Sequence, residues 1–153
     1  MCIRDRVTSG LTAFNELPFK FEAGTPNVAT VLGLDAAIKY LDKIGIEEIA
    51  RHENELLDYA TEALSKIDGI RIYGQPGRKT SVISFNIGEI HPYDAGTIID
   101  KFGIAIRTGH HCAQPLMDHY KVPGTIRASF ALYNQIEEID RLVKAIHQLI
   151  KMF

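Results

Sequence analysis

The spacing of hydrophobic positions changes period several times along the chain, and each change predicts an element. The clearest run is the last. Ile136, Ile139, Leu142, Val143, Ile146, Leu149 and Ile150 recur at three- and four-residue steps and fall on one helical face. Asn134 and Glu137 stand where a capping box would open that helix, with Asn in place of Ser or Thr. Met152 and Phe153 continue its core stripe. Residues 47–67 carry apolar side chains at 49, 56, 57, 60, 63, 64 and 67, a second amphipathic helix that Asp68 and Gly69 end. The period then drops to two. Residues 70–73 and 81–87 alternate like strands, joined by the turn-rich segment 74–78. Residues 103–106 read as a short strand, and 125–132 as another. Pro26 precedes a helix over 28–41, whose Ala29, Gly33, Ala36 and Ala37 predict close packing against another element. A short helix over 93–102 follows Pro92, while 11–27, rich in Phe, Pro and Gly, reads as irregular.

Three or four strands and several helices in this order predict an α+β fold, with helices mainly on one side of a mostly antiparallel sheet. A chain of 153 residues suits one domain with a proper core. Met1 to Arg6 lacks the apolar stretch of a signal peptide and reads as a non-native leader, in which case the true chain extends upstream.

Composition narrows the function classes. A formal net charge of −2 gives no electrostatic case for nucleic acid or an anionic membrane. No apolar run approaches the roughly 20 residues of a membrane span. With two cysteines, one of them Cys2 in the leader, no disulfide framework is expected, and a reducing, cytoplasmic compartment is. Adjacent His110, His111 and Cys112 cannot readily share one ion, and His52, His91, His119 and His147 lack paired-ligand spacing, so no metal site is expected.

The chemistry concentrates in Arg107-Thr108-Gly109-His110-His111-Cys112-Ala113-Gln114-Pro115. Glycine lets the backbone turn, and proline is expected to keep the residues after it from becoming regular structure. Cys112 is thus a thiol on a tight loop at a strand end, beside histidine and arginine, whose positive charge favours the nucleophilic thiolate. It is the candidate nucleophile. A lone cysteine is otherwise often a small buried hydrophobe.

Three segments together carry a family resemblance: Arg107 to Pro115, then Arg127-Ala128-Ser129-Phe130-Ala131-Leu132-Tyr133-Asn134, with Phe21-Glu22-Ala23-Gly24-Thr25-Pro26-Asn27 upstream. In this order they resemble the Suf-type (group II) cysteine desulfurases, pyridoxal-phosphate (PLP) enzymes of the class V aminotransferase family and of transferase fold type I. The resemblance implies that the chain is the C-terminal part of such an enzyme: 7–27 would carry the cofactor-phosphate turn and 28–153 the small domain. The large PLP domain, with the Schiff-base lysine, would lie outside this chain; Lys20, Lys39 and Lys43 sit in the wrong contexts. The implied reaction converts L-cysteine to L-alanine and leaves a persulfide on Cys112, which passes its sulfur to an acceptor protein for iron–sulfur cluster assembly. Arg127 would hold the substrate carboxylate through a bidentate fork. Arg107, His110 and His111 would join it at the substrate, although Arg107 could equally brace the loop and the histidines could tune the thiol or simply pack. Thr25 would bind the cofactor phosphate in the neighbouring subunit of a homodimer; without the resemblance it reads as a helix cap. The fragment alone is expected to be inactive. A free-standing sulfur carrier or inactive remnant, using the Cys112 thiol without PLP, is the competing reading, and a cofactor-free Cys–His hydrolase a weaker third.

Overall fold

A computed structural model of the chain describes residues 4–74, 77 and 79–153. The described residues fall into two compact units, one up to Gly45 and one from Ile46 to Phe153.

In the first unit, β1 (Asp5–Val7) and β2 (Thr12–Phe14) form an antiparallel hairpin, and a 3-10 turn comes after it at Phe19–Phe21. Part of the stretch expected to be irregular is therefore ordered. Helix α1 (Val28–Ile44) opens at Asn27, whose side chain accepts from the Thr30 N–H at 3.2 Å, satisfying one of the free donors of the first turn. The cap is Asn27 and not Thr25. No residue of α1 is buried, so the packing partner predicted by its small residues is not found among the described residues.

The second unit contains the core. Helix α2 (Ile46–Ser65) leads to β3 (Ile70–Tyr73) and β4 (Val82–Ile87); α3 (Pro92–Lys101) and β5 (Arg107–Gly109) come next, then α4 (Gln114–Tyr120), β6 (Thr125–Ser129) and α5 (Ile136–Ile150). The four strands lie in the order β3-β4-β6-β5, every neighbour antiparallel. Alternation then divides the sheet into two faces. Ile83, Phe85, Ile87, Ile126 and Ala128 are buried on one, against Leu56, Leu64, Ile99, Ile139 and Ile146 of the helices. The α+β arrangement with helices mainly on one side is as expected. Only α4 belongs to the other face, where Tyr120 meets Tyr73 of β3 with ring centroids 5.1 Å apart.

Several boundaries differ from expectation. The strand foreseen over 103–106 forms immediately after it, as β5, because Arg107–Gly109 are the residues in register with Thr125–Arg127 of β6. The strand expected to run to 132 ends at Ser129. The box opening α5 is shifted by one: the Glu138 carboxylate accepts from the Gln135 N–H at 3.0 Å and from Asn134 Nδ2 at 2.9 Å. Those two bonds, the side-chain one first, hold the Glu138 carboxyl below its ordinary pKa. Finally, Pro115 does not prevent regular structure. It sits in the first turn of α4, where its missing N–H costs nothing. Within the 74–78 turn, residues 75, 76 and 78 lie outside the described residues, as does Cys2.

Candidate functional site

The polar face of the sheet presents a row across three strands. Pairing sets Arg107 opposite Arg127, and Arg127 opposite Ser84; one further step reaches Tyr73. Residues directly opposite on an antiparallel pair point to the same side with Cβ atoms ~4.5–5.5 Å apart. Two arginines are therefore neighbours on one face. Like charges so placed disfavour the sheet by on the order of 0.2–1 kcal/mol, and neither arginine has an ion-pair partner among the described residues. Arg127 Nε is moreover buried with no hydrogen-bond partner among them. Such an arrangement has the chemistry of an anion site: two guanidinium groups, one of them partly desolvated, whose natural complement is a carboxylate or phosphate.

Beside this row stands the thiol. Residues His110 to Ala113 make a tight turn, closed by the Ala113 N–H donating to the His110 carbonyl at 2.9 Å. Its two central residues, His111 (φ 53°) and Cys112 (φ 59°), are both left-handed. Asn-Gly is the usual occupant of a turn with two positive φ values, and each non-glycine residue there costs about 1–2 kcal/mol. The strain places the free Cys112 thiol on the exposed side of the turn. Backbone strain of this kind clusters at functional sites. The turn comes close to β6 because Gly109 and Gly124 meet backbone to backbone: a Cβ on Gly124 would lie 3.0 Å from the Gly109 carbonyl.

His111 ties the turn to the sheet. Its Nε2 lies 3.0 Å from the Thr125 carbonyl, and its Nδ1 is buried without a partner among the described residues. Burial, first, and the positive charges of Arg127 and Arg107 push its pKa below the ordinary histidine value, against the backbone hydrogen bond, which raises it. His110, by contrast, is exposed. Between α4 and the sheet a cavity of about 220 Å³ is walled in part by Tyr73, Ser84, His111, Tyr120, Thr125 and Arg127.

The structure thus brings Arg107, Arg127 and His111 together on one sheet face, while His110 and Cys112 flank His111 in the turn and are exposed. Thr25 lies in the other unit, exposed two residues before the cap of α1. Sequence reasoning missed Ser84, Tyr73 and Thr125. The alternation of 81–87 was visible, but which residue of that strand faces Arg127 depends on register, and register is a tertiary property. Among the described residues no group of three His, Cys, Asp or Glu is placed to hold a metal.

Comparison with known proteins places this geometry in context. Residues 3–142 match the model of the aminotransferase class-V family. A cysteine desulfurase of Serratia proteamaculans is 50% identical over 146 residues, which are 95% of this chain and 36% of that protein. The crystal structure of the Escherichia coli cysteine desulfurase CsdA superposes with a TM-score of 0.87 at 36% identity, covering 99% of this chain and 38% of that one. The apo cysteine desulfurase of Thermococcus onnurineus superposes with a TM-score of 0.86 at 37% identity, covering 97% and 37%. The chain spans about a third of the length of the curated relatives it matches.

Proposed function

Since the chain belongs to the aminotransferase class-V family, we propose that it is the C-terminal part of a cysteine desulfurase of the Suf type. The observation that carries this reading is the Arg107–Arg127 pair, without an ion-pair partner among the described residues, on the strands next to a strained turn that bears a thiol. The pair would take the α-carboxylate of L-cysteine in a bidentate fork and so aim the substrate sulfur at Cys112. Cys112 would form an S–S bond to that sulfur as the substrate C–S bond breaks. L-Cysteine and the enzyme thiol become L-alanine and an enzyme persulfide, with no further oxidant or reductant. Exposure of Cys112 suits the next step, transfer of the sulfur to an acceptor protein for iron–sulfur cluster assembly. Exposed His110, and Ser84 and Tyr73 on the cavity wall, are further polar groups the substrate would meet.

The PLP of this family supplies the electron sink that makes the C–S bond labile. Part of its environment fits the residues here. Thr25 stands exposed just ahead of the first turn of α1, where a hydroxyl at the positive end of the helix suits a phosphate, in this reading that of the neighbouring subunit of a homodimer. The lysine that would hold the cofactor belongs to the remainder of the protein. No helix among the described residues is long and apolar enough to cross a membrane, and a cytoplasmic location suits a thiol that must stay reduced.

The test is a chimera in which this chain replaces the matching third of the Serratia proteamaculans enzyme. It should release alanine from L-cysteine when loaded with PLP. Cys112→Ala should abolish release while cofactor absorbance is retained. Arg127→Ala should raise KM for cysteine roughly 10- to 100-fold, the value of one or two hydrogen bonds to a charged group, with little change in cofactor affinity. A chimera that binds PLP and leaves cysteine intact overturns the proposal. The isolated chain should release no alanine, and turnover there that is lost in Cys112→Ala would overturn the fragment reading.

A further inference from the structure

We infer that His111 is a positioning residue: through Nε2–H donated to the Thr125 carbonyl, it holds the left-handed His111–Cys112 turn against β6, the strand that carries Arg127. The role rests on the desulfurase reading only for what the turn serves. The geometry is independent of it.

A carbonyl oxygen can only accept, so Nε2 must carry the proton in the 3.0 Å contact. Nδ1 is buried without a partner among the described residues, and the positive charges of Arg127 and Arg107 act on the ring. A second proton on Nδ1 would be a buried, unpaired donor facing positive charge. The imidazole is therefore held as the single Nε2–H tautomer, and the lowered pKa agrees with that assignment.

The strain of the turn makes this bond matter. One internal hydrogen bond closes it, from the Ala113 N–H to the His110 carbonyl, while two consecutive non-glycine residues are left-handed. A single net hydrogen bond does not offset that strain. The bond from His111 to β6 is the second restraint, and it comes from a residue of the turn itself. Because Thr125 and Arg127 are two apart on one strand, their side chains share a face. His111 thus ties the thiol-bearing turn to the same strand as the anion-binding arginine, so the separation of thiol and guanidinium is set by this hydrogen bond. Gly109 and Gly124 permit the approach, and His111 secures it.

The experiment uses the chimera described above, labelled with 15N. Imidazole correlation spectra at neutral pH should show His111 protonated at Nε2 and unprotonated at Nδ1. In His111→Ala, exchange of the Ala113 amide should accelerate about fivefold or more, the loss of one net hydrogen bond. His111→Asn keeps an N–H donor on a residue that tolerates positive φ, and should remain within about twofold of the parent. An Nδ1–H tautomer, or the averaged signals of an unconstrained imidazole, overturns the inference. So does unchanged Ala113 exchange in His111→Ala. If that variant does not fold, the tautomer in the unaltered chimera decides alone. Neither readout depends on alanine release, so an inactive chimera and failure of this inference are separate results.

Discussion

His111 and Cys112 occupy backbone conformations that a sequence of ordinary preferences would avoid, and the proposed nucleophile is one of that pair. The energetic consequence of His111 is readable as a pH dependence. Its folded pKa lies below the unfolded value, so the unfolded chain binds the extra proton first as pH falls. Stability from this group is complete above the ordinary histidine pKa of about 6.5 and declines as pH falls through that value toward the folded one. His111→Asn removes the titration. Urea midpoints of the parent should therefore drop more than those of the variant between neutral pH and mildly acidic pH, and parallel curves would contradict the lowered pKa of His111. At this scale the sequence marked the residues on which the proposed function rests. Gly-His-His-Cys with arginine upstream pointed to the nucleophile, and the family resemblance pointed to Arg127. What spacing could not supply was the partner of His111, a backbone carbonyl 14 residues away.

The elements succeed where a single period dominates and shift where two forces compete. Helix α5 was legible almost to the residue, because seven apolar side chains share one face. Its cap was displaced by one, since Asn134 is occupied with the Ala131 N–H at 2.8 Å as well as with Glu138. Strand β5 was read too early: residues 103–106 have the right composition, but the ladder forms where β6 offers partners. Helix α4 was not foreseen, since seven residues carry too short a pattern and a proline at the helix start permits what a proline further in forbids. The contact between α3 and β5 can be tested directly. Gly96 in α3 packs on Thr108 of β5 so closely that an added Cβ would lie 2.6 Å from the Thr108 methyl. Helix propensity alone would make Gly96→Ala favourable by about 1 kcal/mol. Overpacking against a stiff β-branched side chain costs about 1–3 kcal/mol and should win. Gly96→Ala is expected to lower stability in urea, and Thr108→Ser, which removes the methyl, to restore most of the loss in the double variant. A stabilised Gly96→Ala would show that β5 yields freely.

At the scale of the whole chain, the buried hydrophobic side chains run from Leu56 to Leu149, all in the second unit. Their burial is what folding of this unit rests on, at roughly 1.5–3 kcal/mol for each large side chain. No described residue of the first unit is buried. A truncated chain of residues 46–153 should accordingly unfold cooperatively, with Tm within about 4 °C of the parent, the shift that about 1 kcal/mol produces in a domain of this size. Loss of the cooperative transition would show that the first 45 residues supply core contacts.

By itself the sequence determined the class of fold and the long helices, and it singled out Cys112 as the candidate nucleophile of the proposed reaction. These depend on local period and on residue chemistry, which neighbours along the chain carry. The tertiary structure decided three other things: the register that sets Arg107 against Arg127, the left-handed turn that exposes Cys112, and the hydrogen bond from His111 to Thr125. Each joins residues that are distant in sequence or strained in backbone. A one-residue slip of β6 would turn Arg127 into the core and Ile126 onto the polar face, and the packing of the helices on Ile126 and Ala128 opposes it.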